Sequence, residues 1–385
     1  MSPSAVSLIP DRAAAQRRTL AVLRLAVVPG QAAVAGTVAV VSLLAKDMLG
    51  SDRLAGLGSA SFTLGSAMAA IPLAAFMRRR GRRPGLALAF SIGAVGALVA
   101  AAGGQARWFW LFVIGMVLFG SGQSATLQTR YAAADLATPD ERATAIGAIV
   151  WIGTLGAVFY LTLLRPDPLV LAGGVDPSAA RVRPIQQARR SFGVIRSSRG
   201  AMLGLVAMAG SQAAMVGVMT MTPSHMDDHG HADLSSMVIA MHIVGMFGIA
   251  PLVGRFVDRV GPIRAMQIGA VTLGISTVVV QIAGYVPLLV FVGLFLLGLG
   301  WNLGLIAGTT LLTASVPEGS RVEAQGTGDL TLSLCGAVAA FGSGFVKQAF
   351  EFHILADLAT VLAGGMLVYG WYTGARFSAA VSRAR

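Results

Sequence analysis

Gly254-Arg255-Phe256-Val257-Asp258-Arg259-Val260-Gly261 sets three charges and two glycines at the junction of two long apolar runs, about residues 234 to 257 and 262 to 284. A related stretch stands about 180 residues earlier as Phe76-Met77-Arg78-Arg79-Arg80-Gly81-Arg82-Arg83, so that Gly65, Phe76, Arg79 and Gly81 answer Gly245, Phe256, Arg259 and Gly261. Outward from this pair the correspondence continues in the same order. Gln31-Ala-Ala-Val-Ala-Gly36 answers Gln212-Ala-Ala-Met-Val-Gly217, and Gly120-Ser-Gly122 answers Gly298-Leu-Gly300. Pro139, Arg142 and Gly147 answer Pro317, Arg321 and Gly326. Self-similarity at one fixed offset marks a duplicated unit.

The surrounding composition says what the unit is made of. Of 385 residues, 55% are hydrophobic and 12% charged, with 48 glycines; the mean hydropathy is +0.73. Soluble domains carry roughly 25% charged residues, so this composition specifies an all-α polytopic membrane protein. Apolar runs long enough to cross a bilayer fall at about 20–45, 54–77, 84–103, 107–134 and 143–164, then 201–222, 234–257, 262–284, 286–312, 324–347 and 354–373, about 11 spans. Between the sets lies a polar stretch with Arg165, Arg181, Arg183, Arg189, Arg190, Arg196 and Arg199 against Asp167 and Asp176. The organisation expected is a helical bundle over 1–164, a basic cytoplasmic linker over 165–200 and a second bundle over 201–385. The net charge of +12 resides in arginines between spans, which makes it a topology signal and not a nucleic-acid surface. The single Cys335 excludes an internal disulfide and a cysteine metal cage. The first span follows a polar segment with Asp11, Arg12, Arg17 and Arg18, has no small-residue cleavage site after it, and is expected to be retained.

These residues resemble the major facilitator superfamily, whose loop between the second and third helices has a Gly-x-x-x-Asp-Arg-x-Gly core followed by basic residues. Asp258, Arg259 and Gly261 match it in the second half, and Arg79 and Gly81 in the first, where Arg78 replaces the family's Asp. The resemblance implies two bundles rocking about a central site, with those residues as a gating loop and Asp135 as a substitute partner near the inner end of the fourth helix. It also implies a monomeric secondary transporter in the cytoplasmic membrane, both termini cytoplasmic, its partners the lipid bilayer and a small solute or metal ion. The family plan has 12 helices. Positive-inside parity requires an even number of crossings before the linker, yet Ala143 to Leu164 is too short for two spans, so one helix of the first half is read as missing.

Cargo is read from the second half. Met215-Val-Gly-Val-Met219 ends one apolar run and His242-Ile-Val-Gly-Met246 lies in the next, with His225, His229 and His231 in a polar loop between them. Positions four apart share a helix face, and thioether plus imidazole suits Cu(I) and not hard cations. Methionine also fills irregular helical cores, but an ionisable group such as His242 within a span is a functional candidate by default. At the repeat-related positions stand Val34, Val38, Phe62 and Ser66, so the duplicated fold itself does not require sulfur or imidazole there. The paired spacing resembles the signature of bacterial major-facilitator copper importers that supply haem-copper oxidase assembly. That resemblance implies Met215, Met219, His242 and Met246 as ligands and inward movement of copper as substrate, with no permanently bound cofactor.

The three loop histidines are candidates for metal recruitment, with a solvated connecting loop as the alternative. Gln31, Gln123, Gln212 and Asn302 are candidate cavity-lining residues. Asp329 is the candidate for proton coupling, with pairing to Arg321 as the alternative. Met116 stands where drug antiporters of the superfamily have Arg. No Walker sequence or enzyme motif is present. Two other readings stay open: a carrier of small organic or drug-like molecules, and a non-transporting descendant of a transporter.

Overall fold

A computed structural model describes residues 41, 44–45, 47–50, 52–135, 141–150, 184–228, 230, 234–283 and 286–383. All regular structure among them is helical. In the first half, α1 is Asp52–Arg80, α2 Arg82–Gln105, α3 Phe109–Ala134 and α4 Arg142–Val150. Next come α5 Pro184–Ser197 and α6 Arg199–Asp228. The second half continues with α7 Ser235–Ile243, a π-helical turn Val244–Gly248, α8 Ala250–Val260, α9 Pro262–Ala283 and α10 Pro287–Ala314. The last element, α11, is Arg321–Arg383.

Eight helices among the described residues are long and apolar enough to span a bilayer, and nine if the bent pair α7–α8 is one span. Of these, α11 with the 3-10 turn Glu318–Ser320 before it contributes two, Glu318–Phe350 and Phe352–Thr373. The chain doubles back between them: Gly328 and Met366 both pack on the start of α6, while Lys347 and Phe352 both meet its far end at Ser224 and His225.

The duplication is visible in contacts as well as letters. Gly81 and Gly261 end α1 and α8 with φ of 92° and 85°, a region favourable only to glycine, and each donates its N–H to the carbonyl four residues back. These glycines turn the chain directly into the next antiparallel span. Deeper in, a Cβ on Gly120 would lie 2.2 Å from the Phe62 carbonyl oxygen, and one on Gly298 would lie 2.3 Å from the His242 carbonyl oxygen. The same helix crossing is therefore built twice, each time on glycine.

Two features add detail to the expected runs. The run 234–257 is not one straight helix: the π turn and Pro251, which offers no N–H, bend it by 42° between Met237–Gly248 and Ala250–Val260. The linker expected over 165–200 contains α5, and Arg199 already opens α6. The runs at 20–45 and 143–164 lie mostly outside the described residues, and with them the question of a missing helix.

Candidate functional site

A central cavity opens between the halves. Ser59, Phe62 and Thr63 come from α1, Met116 to Arg130 from α3, Gln212 to Thr220 from α6, Ile239 to Phe247 from α7 and its π turn, and Trp301 and Leu305 from α10. It holds about 1120 Å³ of open space including its mouth. Met215, Met219, His242 and Met246 all line it, as do Gln123, Gln212 and Met116. Apolar packing puts them there. Gly245 and Gly298 let α10 approach the backbone at His242 and Met246 closely. The π turn that follows His242 winds more slowly than an α-helix, so positions four apart fall nearer to one line. Such turns recur at functional sites.

His242 is 2% exposed, and its Nδ1 lies 2.9 Å from the Leu294 carbonyl oxygen. A carbonyl only accepts, so Nδ1 carries the proton and the neutral ring leaves a lone pair on Nε2. Nε2 has no hydrogen-bond partner among the described residues. An imidazole oriented this way by a backbone carbonyl is the usual arrangement of a ligating histidine. No three His, Cys, Asp or Glu side chains converge among the described residues, so a metal would draw on methionine sulfur. Hydroxyl and amide groups and three aromatic rings complete the lining: Ser59, Thr63, Thr126 and Thr220 face it, Gln212 accepts from Trp301 Nε1 at 2.7 Å, and Phe247 sits edge-on to Trp301 at 5.6 Å.

Toward the arginine-rich end the cavity meets a buried polar network across the halves. Arg130 of α3 pairs with Asp329 of α11, which also accepts from Gln128 at 2.9 Å and from the Tyr131 hydroxyl at 3.3 Å. Arg82 joins Asp135 at 3.0 Å, Gln128 at 2.9 Å and Gln325 at 2.8 Å. Asp329 thus faces Arg130, whereas Arg321 pairs with Glu318 at 3.5 Å. Asp135 does serve an arginine of the first-half loop, but it is Arg82.

Beyond this network the two loop copies differ in chemistry. Asp258 accepts from the backbone N–H groups of Ala143 and Thr144 at 3.0 and 2.7 Å and from the Thr144 hydroxyl, capping the start of α4 from another helix. Gly254, one turn earlier, makes room, since a Cβ there would lie 2.6 Å from the Ala143 carbonyl oxygen. The Gly-x-x-x-Asp spacing is therefore one turn of helix laid against a helix end. In the first half Arg78 replaces the Asp and meets Glu323 at 2.6 Å on α11, and Glu323 stands where the repeat has Thr144. Arg79 is half-buried and Arg259 exposed. Gly254→Val is expected to push α4 away and cost ~1–3 kcal/mol, seen as a lower Tm. Gly274→Ala, where a Cβ meets nothing within 4 Å, is the neutral control.

Other assignments shift. Asn302 does not line the cavity; its Nδ2 points to the Gly245 carbonyl oxygen at 3.5 Å, within the α10 packing. His225 lies inside α6, not in a loop, and stacks on Phe352 at 4.2 Å. Gln31, His229 and His231 are outside the described residues. Sequence reasoning missed the pairings of Arg130 and Glu323, though both residues break apolar or polar patterns in their segments.

Comparison with known proteins places this architecture. The chain is 35% identical over 392 residues to an uncharacterized MFS-type transporter, YdeG, of Bacillus subtilis, covering 91% of this chain and 89% of that one. It is 29% identical over 357 residues to the riboflavin transporter RfnT of Brucella anthropi, covering 86% and 89%. Among solved structures, the human organic anion transporter MFSD10 superposes with a TM-score of 0.69 at 16% identity, covering 95% of this chain and 100% of that one. A bacterial homologue of the iron transporter ferroportin superposes at 0.62 and 14%, covering 94% and 99%. The model of the Major Facilitator Superfamily matches residues 25–165 and 160–340, and with the duplicated glycine turns and the cavity between two helical halves, the chain belongs to that superfamily of multi-pass membrane transporters.

Proposed function

We propose that this secondary transporter carries Cu(I) inward across the cytoplasmic membrane, with its arginine-rich end and both termini on the cytoplasmic side. The observation that carries the reading is the convergence on one cavity of Met215, Met219, Met246 and His242, whose Nε2 has no partner among the described residues. Thioether sulfur and neutral imidazole are the soft and borderline donors that a soft monovalent cation prefers. The repeat supports the choice. Gly120 and Gly298 make equivalent crossings, yet the first half puts Phe62 and Ser66 where the second has His242 and Met246. Asp329, at the junction between cavity and network, is the group we assign to proton coupling, since protonation would release its pair with Arg130.

The test is accumulation of labelled copper in cells expressing the chain. The parent is expected to exceed the empty-vector level, and Met215→Ala and His242→Ala to return to that level at matched membrane abundance. A second reading is favoured by the aromatic walls Phe62, Phe247 and Trp301 and by similarity to a riboflavin transporter: a planar organic solute occupies the same cavity. Riboflavin uptake in the same cells decides. Riboflavin accumulation with copper at background, unaffected by His242→Ala, would overturn the copper reading.

A further inference from the structure

The short helix α5 belongs to neither set of spans, and its two faces differ. Gln187, Ser191 and Ile195 recur every four residues and are buried, and on this side α5 packs against α1 of the first half and α6 and α11 of the second. On the opposite side Ile185, Arg189, Phe192 and Arg196 follow one another at spacings of four, three and four, which is a single stripe. Ile185 is 78% and Phe192 43% exposed. Arg189, Arg190 and Arg196 are exposed too, with no ion pair to any described residue. With 14 residues α5 is too short to cross a bilayer. It is joined through Ser198 to the first residue of the span α6, next to the basic end of α1, so it lies at the membrane boundary.

Two large apolar side chains interleaved with arginines on one exposed face are costly in water and well matched to the headgroup region, where the rings and alkyl groups enter the acyl boundary and the guanidinium groups meet phosphate. We propose that α5 is an interfacial anchor that binds anionic phospholipid headgroups through Arg189, Arg190 and Arg196, with Ile185 and Phe192 inserted beneath them. Because its inner face touches both halves, bound anionic lipid also holds the halves together at the arginine-rich end. This site is independent of which solute the cavity carries.

The experiment uses the full chain in nanodiscs of phosphatidylcholine, with or without phosphatidylglycerol. A nitroxide attached at Phe192→Cys in a Cys335→Ser background is expected to be accessible to oxygen and shielded from a water-soluble nickel chelate. Unlabelled parent protein is expected to gain several degrees in Tm with phosphatidylglycerol. That gain should shrink at high salt and disappear in the triple variant Arg189→Gln, Arg190→Gln, Arg196→Gln, whose Tm in phosphatidylcholine should match the parent's. A label open to nickel in both lipids overturns the insertion. Equal Tm in both lipids, or an undiminished gain in the triple variant, overturns anionic-lipid binding.

Discussion

Asp329→Ala is expected to lower stability by ~3–5 kcal/mol, because it strands the Arg130 guanidinium without its counter-ion in the interior. Arg130 is 1% exposed and Asp329 fully buried, so water cannot substitute for the lost carboxylate. Gln128 and Tyr131 lose an acceptor in the same step. Removing both charges, as Arg130→Met with Asp329→Leu, should recover much of the loss, since neither ion then bears a desolvation penalty. Thermal unfolding of Asp329→Ala, of the singles Arg130→Met and Asp329→Leu, and of their double in one lipid checks this. A single variant within 1 kcal/mol of the parent, or a double variant worse than the sum of the singles, would contradict the buried-pair account.

The second large effect is expected at Arg78. Arg78→Glu sets two carboxylates against each other where a 2.6 Å ion pair stood, and transport should fall at least tenfold with a lowered Tm. Glu323→Arg in the same chain should restore both, with a coupling of ~1–3 kcal/mol. A sharper form borrows the other half: Arg78→Asp with Glu323→Thr copies the Asp258 and Thr144 arrangement and should also function. Charge-reversed doubles no better than the single would show that this contact does not hold the halves.

Much of this molecule is readable in its letters because a bilayer demands long apolar runs and the duplication repeats their punctuation. Gly81 and Gly261 were legible as turns, since each stands at the same offset after an arginine-rich helix end. The bend at the π turn was not, because an extra residue in one helical turn leaves the hydropathy of the run unchanged. Helix α5 was hidden for another reason: a hydropathy window sized for a span averages its two faces away. Within the site, Met215, Met219, His242 and Met246 could be placed on one cavity from spacing and repeat position, whereas Asn302 could not be distinguished from its cavity-lining neighbours. The partner of Asp329 stands 199 residues earlier in the chain, and no local pattern names it. The exchange of Asp258 over Thr144 for Arg78 over Glu323 did leave a trace. At matched offsets one partner is neutral and the other acidic, which becomes meaningful once the two helices are known to touch.

The Arg130 and Asp329 pair has a further consequence for how the protein is made. Separated by 199 residues, the two charges are synthesised on the order of 10–40 s apart. During that interval α3 must reside in or beside the membrane with an arginine that lacks its counter-ion, at a cost below the ~2.5–3.5 kcal/mol of a helix-centre arginine because Arg130 is four residues from the helix end. The nascent first half is therefore expected to linger at the translocon or with an insertion chaperone until α11 emerges. Ribosome-stalled chains ending before Asp329 should crosslink to that machinery through α3, and chains extended past α11 should release it.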